Sequence, residues 1–217
     1  MTQALVILAA LCALAYLGLT GRAPSLGRSV VKTGSVAALA LAAAAGVGPP
    51  LLAVALGLCA LGDWCLSRPG ERAFMAGVAA FAAGHLAYVA LFLAQPESEV
   101  ARLLEPSRLA LLAGLAALGA GMLWLLLPRA GALAVPVAIY VPIILAMGLA
   151  AATLAPVGPL AWALPAALAF VVSDAILALE KFAIPETPGT HGARRVAGWA
   201  AWTLYWGAQA GFFAAFA

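Results

Sequence analysis

Charge is scarce in this chain. Only 9% of its 217 residues are Asp, Glu, Lys or Arg, while 66% are hydrophobic. A soluble domain is about 45–50% apolar, so this composition excludes an ordinary water-soluble fold. Most of the chain must face lipid or pack inside a membrane bundle. Histidine is nearly absent, with His85 and His191 alone. A hydrolytic zinc site needs three His, or two with a carboxylate, and His191 lies in a polar, Gly-flanked stretch read as a solvated loop. There are only three cysteines, Cys12, Cys59 and Cys65, all in apolar runs without metal-ligand spacing. They read as small buried hydrophobes, not as a disulfide framework. No GxSxG, HExxH or GxxxxGK segment is present, which removes the usual sequence support for a serine triad, a zinc protease or a phosphate-binding loop. The net charge of +3 does not suggest nucleic acid, because the basic residues are spread over short loops.

Long apolar runs fill the rest. A bilayer-spanning helix takes about 20 apolar residues, and eight such stretches are predicted: 2–19, 31–46, 49–66, 74–94, 108–127, 132–152, 159–180 and 196–216. The first has full span length without a basic leader and is read as a helix, not a cleaved signal. The fold class expected is therefore all-α, a single polytopic bundle over residues 1–217. The longest polar connections are 20–30, 95–107 and 181–195. Pro136 and Pro142 are expected to bend the sixth helix and to free carbonyls toward a cavity. Lys and Arg set the orientation. The odd-numbered loops carry Arg22, Arg28, Lys32, Arg68, Arg72, Arg129, Lys181, Arg194 and Arg195, and the other face only Arg102 and Arg108. This asymmetry predicts odd loops in the cytoplasm and both termini outside, in a plasma or bacterial inner membrane.

Against this background two acids stand out, Asp63 and Asp174, each inside an apolar segment. A carboxylate at the centre of a spanning helix costs about 2.5–3.5 kcal/mol on insertion scales, so its presence points to function. Counted along the helices, Asp63, His85, Tyr88, Tyr140, Asp174, Tyr205, Gln209 and Lys32 all lie in the same half of the membrane, nearest the odd loops. The opposite halves are almost wholly Ala, Leu, Val, Gly and Phe. Phe74, Gly77, Phe81, His85 and Tyr88 share one helical stripe, as do Asp174, Leu177 and Lys181, and Trp202, Tyr205 and Gln209. One polar cavity open to one side is the expected arrangement. Singly, each residue has an ordinary role: a packing aromatic, an interhelical hydrogen bond, a topology signal, or, for Asp63, a surface partner for Arg68. Their coincidence at one depth is the signal. Two carboxylates in a low-dielectric cavity can hold one proton between them and act as acid and base. That chemistry suits hydrolysis of an acid-labile bond, peptide hydrolysis or proton-coupled transport.

The motifs themselves narrow the choice. Gly62-Asp63, then Phe74-x2-Gly77-x3-Phe81-x3-His85-x2-Tyr88, Tyr140, Phe170-x2-Ser173-Asp174-x2-Leu177-Ala178-x2-Lys181-Phe182 and Tyr205-x3-Gln209 together resemble the lysoplasmalogenase family, the bacterial YhhN-like proteins and their animal transmembrane relatives. The resemblance runs from about Lys32 to the C-terminus, and departs where the family often has Lys-Pro and this chain has Lys32-Thr33. It implies an eight-helix membrane hydrolase that cleaves the vinyl ether of lysoplasmalogens, giving a fatty aldehyde and glycerophosphoethanolamine or glycerophosphocholine, with no cofactor. The partners implied are a lysophospholipid substrate and membrane lipids; nothing in the sequence sets an oligomeric state. On this reading Asp63, Asp174 and His85 are catalytic. Asp174 is favoured as the acid because the deeper carboxyl more readily keeps its proton. Tyr88, Tyr140, Tyr205 and Gln209 would line the cavity, and Lys32, Lys181 and Arg195 would meet the lipid phosphate at its mouth. Two rivals are an intramembrane aspartyl protease, whose Gly-x-Gly-Asp signature is replaced here by Ala60-Leu61-Gly62-Asp63, and a proton-coupled transporter of lipids or small molecules. Asp63→Asn and Asp174→Asn are each expected to abolish aldehyde release while the protein still folds; full activity in either variant, measured through a coupled dehydrogenase, would refute the assignment.

Overall fold

The computed structural model describes residues 1–217 and is all-helical. Eight α-helices run in order: α1 Thr2–Leu19, α2 Leu26–Ala44, α3 Pro50–Leu66, α4 Glu71–Leu93, α5 Pro106–Leu126, α6 Ala134–Ala152, α7 Ala163–Phe182 and α8 His191–Phe216. Short 3-10 turns join several of them, at Val100–Leu104, Leu127–Arg129, Gly131–Leu133, Gly158–Trp162 and Pro188–Thr190. Five segments are long and apolar enough to cross a membrane: Thr2–Leu19, Glu71–Leu93, Pro106–Arg129, Gly131–Ala152 and Gly158–Phe182. Helix α3 is apolar but has 17 residues. The stretches α2 and α8 carry Arg28 and Lys32, or Arg194 and Arg195, in their early turns.

Those early turns are where hydropathy misplaces the helix starts. Helix α2 begins five residues before position 31, because Ser25 caps it by accepting from the Arg28 N–H at 3.2 Å. Lys32 is therefore in the second turn of α2 and does not open it. Helix α8 likewise begins at His191. That histidine is exposed, as expected of a solvated residue, but it starts a helix and is not in a loop. A polar helical turn projecting beyond the apolar span looks like loop to any hydrophobicity window. Pro136 lies in the first turn of α6, where a helix has no use for its N–H. Pro142 is in the helix interior and cannot bond the Ala138 carbonyl.

Consecutive helices α1–α2, α2–α3, α3–α4 and α7–α8 pack side by side. Helix α4 then packs on α6, α8 closes the bundle against α2 and α3, and α5 sits outside on α6 and α7. At the end opposite the basic loops, the α4–α5 and α6–α7 connections are tied together. Ser98 and Thr153 hydroxyls are 2.7 Å apart, the Glu99 N–H donates to the Thr153 carbonyl, and the Ala155 N–H donates to that of Glu97. The Arg102 Nε adds a bond to the Thr153 carbonyl at 3.3 Å.

The α3–α4 contact is made close by glycine. A Cβ on Gly62 would sit 2.5 Å from the Phe81 ring, one on Gly77 would sit 2.7 Å from the Leu66 side chain, and one on Gly84 would sit 2.9 Å from the Cys59 sulfur. Small residues let membrane helices approach until their backbones nearly touch. Here they let Phe81 lie directly on the α3 backbone beside Asp63. Gly62→Ala is expected to cost about 1–3 kcal/mol by overpacking. Gly57→Ala, on the same helix with open space at its Cβ, is expected to be neutral or slightly stabilising. Thermal unfolding of both variants in detergent distinguishes the two.

Candidate active site

Asp63, in the last turns of α3, is completely buried. A carboxylate without water must take its hydrogen bonds from side chains, and two neighbouring helices supply them. The Lys32 ammonium from α2 lies 2.9 Å from Oδ1, and the Tyr205 hydroxyl from α8 donates to Oδ2 at 2.7 Å. The ammonium is boxed by aromatic rings, 5.8 Å from the centre of Tyr16 and 5.9 Å from that of Trp202. Trp202 is fixed by its indole N–H, which donates to the Ala13 carbonyl, and the Tyr16 hydroxyl accepts from Arg28 at 3.0 Å. Arg68 is not the partner of Asp63. It stacks on Trp64, 3.9 Å from the ring centre.

Asp174 on α7 has a different set of partners. The Tyr140 hydroxyl from α6 donates to Oδ2 at 2.9 Å, and His85 Nε2 from α4 stands 3.5 Å from the same oxygen. The other imidazole nitrogen, Nδ1, is 2.6 Å from the Phe81 carbonyl. A carbonyl only accepts, so Nδ1 carries a hydrogen and donates. In a neutral ring Nε2 is then an acceptor, and it faces a carboxyl oxygen. Two acceptors cannot bond to each other, so a hydrogen bond between His85 and Asp174 requires one proton on one of them. At 3.5 Å the two stand side by side, and Nε2 has no hydrogen-bond partner in the structure.

A third polar pair lies deeper. The Tyr88 hydroxyl donates to Gln209 Oε1 at 2.5 Å, both residues wholly buried. Gln209 Nε2 has no oxygen partner and lies beside the Cys59 sulfur. Around these groups runs an aromatic packing of Phe81, Phe170, Tyr205, Phe92 and Phe212. Ser173, next to Asp174, turns away and donates to the Ala201 carbonyl of α8, which fixes the rotation of α7. No three His, Cys, Asp or Glu side chains converge as metal ligands would.

A cavity opens between α3, α4, α5, α6 and α7, with about 930 Å³ free of atoms, part of it open to the outside. Of its 21 lining residues 18 are hydrophobic, so it offers little to a polar ligand and much to an apolar chain. The polar groups that reach it are the Asp174 carboxyl, the Lys181 ammonium and the Tyr140 hydroxyl. Lys181 stands at the helix end nearest the basic loops, with its ammonium 5.1 Å from the Phe74 ring centre. Pro136 also lines this cavity. Asp63, His85, Tyr88, Tyr205, Gln209 and Lys32 do not; they form the polar core behind Phe81. Arg195 lies apart from both. Its guanidinium stacks on Trp199 at 4.7 Å and its side chain rests against Gly21.

Apart from Arg195, the sequence-derived set is thus brought together in two compartments. Asp174, Tyr140 and Lys181 face the cavity, and the others stand behind it. Tyr16 and the Phe81 carbonyl were not among the expected site residues. Tyr16 is the one aromatic residue in the apolar run of α1, a signal that could have marked it. A backbone carbonyl gives no such signal. Tyr88→Phe removes the donor to Gln209 and leaves a buried amide oxygen unbonded, so it is expected to cost about 1–3 kcal/mol of stability. Thermal unfolding measures this directly.

No curated protein and no solved structure matches this chain. Residues 27–216 match the YhhN family, a span that includes every residue of both compartments except Tyr16. The chain therefore belongs to the YhhN family, which includes the lysoplasmalogenases.

Proposed function

We propose that the protein is a membrane hydrolase that cleaves the vinyl ether bond of a lysoplasmalogen, with Asp174 as the acid. The observation that carries this reading is the position of Asp174. It is the only carboxyl group in the wall of an apolar cavity whose mouth holds a cation, Lys181. A concave, mostly apolar lining with a few polar groups suits an amphiphile. Asp174 and Lys181 are seven residues apart on α7, about 10 Å along the axis. That separation suits a molecule with a reactive bond at one end of a glycerol unit and a phosphate at the other.

The chemistry follows from the proton held at Asp174–His85. Asp174 transfers it to the β-carbon of the vinyl ether as the double-bond pair forms the new C–H bond. The adjacent carbon becomes an oxocarbenium centre, conjugated with the ether oxygen. Water adds there and gives a proton back to the carboxylate, with His85 steering it. The resulting hemiacetal breaks its bond to the glycerol oxygen, which takes up that proton, while the hemiacetal hydroxyl gives its own proton to the Asp174 carboxylate as the C=O forms; the aldehyde and the glycerophospho alcohol leave with the acid restored. Tyr140, bonded to the same oxygen of Asp174, stabilises the carboxylate formed in the first step. The negative charge that develops is thus met by a hydroxyl donor already in place. Lys181 would hold the phosphate, and apolar side chains would contact the hydrocarbon. Asp63, held by Lys32 and Tyr205, is outside the cavity and acts from behind the site. The basic-loop face, and with it the cavity mouth, is assigned to the cytoplasm by the charge rule.

The test is direct. Purified protein incubated with lysoplasmenylethanolamine is expected to release aldehyde, read through a coupled dehydrogenase. The acyl lysophospholipid of the same chain length is expected to remain intact. Hydrolysis of the acyl lipid alone, or of neither, would refute the proposal.

A further inference from the structure

The Lys32 ammonium is 85% withdrawn from solvent and is engaged by Asp63. It does not line the cavity through which a lipid would reach Asp174. This is a poor position for a phosphate ligand and a good one for an anchor. From Lys32 a continuous series of contacts leads to the acid. Lys32 binds Asp63 Oδ1, and Tyr205 binds Asp63 Oδ2. The Tyr205 ring packs edge-on against Phe81, at 5.6 Å between centres, and against Phe170, at 5.2 Å. Phe170 packs on the His85 ring at 4.4 Å, and the Phe81 carbonyl accepts the His85 Nδ1 hydrogen. His85 Nε2 then faces Asp174. The tighter of the imidazole's two ring contacts, that with Phe170, and its hydrogen bond therefore rest on residues that Tyr205 touches; the other ring contact is with Tyr140, at 5.7 Å.

We propose that Lys32 is a positioning residue, which acts through Asp63 and Tyr205 to hold His85 in register with Asp174 and does not bind the lipid phosphate. The inference rests on the reading of Asp174 as the acid in vinyl ether hydrolysis. It divides the two cations. Lys181, at the mouth, recognises the headgroup. Lys32, in the core, sets the geometry of proton transfer and is indifferent to what the substrate carries beyond its vinyl ether. The groups facing the Lys32–Asp63 pair are Tyr16 and Arg28 from the α1–α2 side, Tyr205 and Trp202 from α8, and Cys59 one turn before Asp63 on α3. None but Asp63 is a carboxylate, so loss of Lys32 leaves a buried carboxylate without its counterion and loosens the anchor.

The test uses two substrates and one spectroscopic probe in the intact protein. The substrates are lysoplasmenylethanolamine and the corresponding 1-alkenylglycerol, which lacks a phosphate. Lys32→Met is expected to lower kcat by about a hundredfold on both, as expected of a site displaced by about an ångström, with KM little changed. Lys32→Arg is expected to recover a large part of the loss. Lys181→Met is expected to raise KM on the phosphorylated substrate alone. Because the chain has only two histidines, His191→Gln leaves His85 as the single imidazole. Its nitrogen NMR signals in that background are expected to shift in Lys32→Met. Tyr205→Phe cuts the same anchor at its other end without removing a charge, and is expected to reproduce the kcat loss and the His85 shift even if Lys32→Met does not fold. A loss confined to the phosphorylated substrate would make Lys32 a phosphate ligand and overturn the proposal. An unmoved His85 signal in a folded variant, Lys32→Met or Tyr205→Phe, would also overturn it. If the wild-type protein cleaves neither substrate, the vinyl ether reading fails; the NMR arm still decides whether Lys32 positions His85.

Discussion

Inside a helical bundle a carboxylate has no water to turn to, and every other feature of this site can be traced to that. Each oxygen of Asp63 and the inner oxygen of Asp174 must be met by a donor carried on another helix. Lys32 comes from α2, Tyr205 from α8 and Tyr140 from α6, and His85 on α4 faces the same oxygen of Asp174 as Tyr140 does. The two acids therefore fix the rotation and depth of four helices besides their own. Breaking such a buried pair by removing one partner is far more costly than the pair is worth in net stability, so these residues specify an arrangement more than they strengthen it. The small residues complete it. Without the bare Cα of Gly62, Phe81 could not lie on α3, and its carbonyl would not be where His85 needs it.

The same constraint separates the apolar cavity from the polar core. The cavity wall is apolar except where Tyr140, Asp174 and Lys181 reach it. The remaining polar groups are sealed behind aromatic rings and pair among themselves as Lys32–Asp63–Tyr205 and Tyr88–Gln209. A hydrocarbon chain can occupy the cavity without desolvating the polar core.

Much of this was legible in the sequence because bilayer solvation leaves a strong mark. Eight helices, the asymmetry of the polar halves and the singularity of Asp63 and Asp174 all follow from where charge is tolerated. The pairings were not legible. Lys32 reads as one more basic loop residue, since charge counting cannot see that Ser25 starts the helix early and carries Lys32 down beside α3. Asp63 reads as adjacent to Arg68, yet Arg68, in the turn after α3, stacks on Trp64, and Asp63 is fully buried. The separation of His85 from the cavity is set by the packing of Phe81 and Phe170, a three-helix contact with no periodic signature. Helix ends were misplaced for a related reason: polar turns beyond the apolar span are helical by capping and tertiary contact, not by hydrophobicity.

The ties at the far end of the bundle have a mechanical consequence. There the loops around Ser98 and Thr153 are stitched by two hydroxyls, two backbone bonds and the Arg102 side chain, so α4, α5, α6 and α7 share a common knot. The cavity lies toward the other end, where α5 and α6 are joined only by short 3-10 turns. The cavity is thus bounded at one end by cross-linked loops, while at the Lys181 and Leu133 end its helices are joined in neighbouring pairs, α3 to α4, α5 to α6 and α7 to α8, by the chain alone.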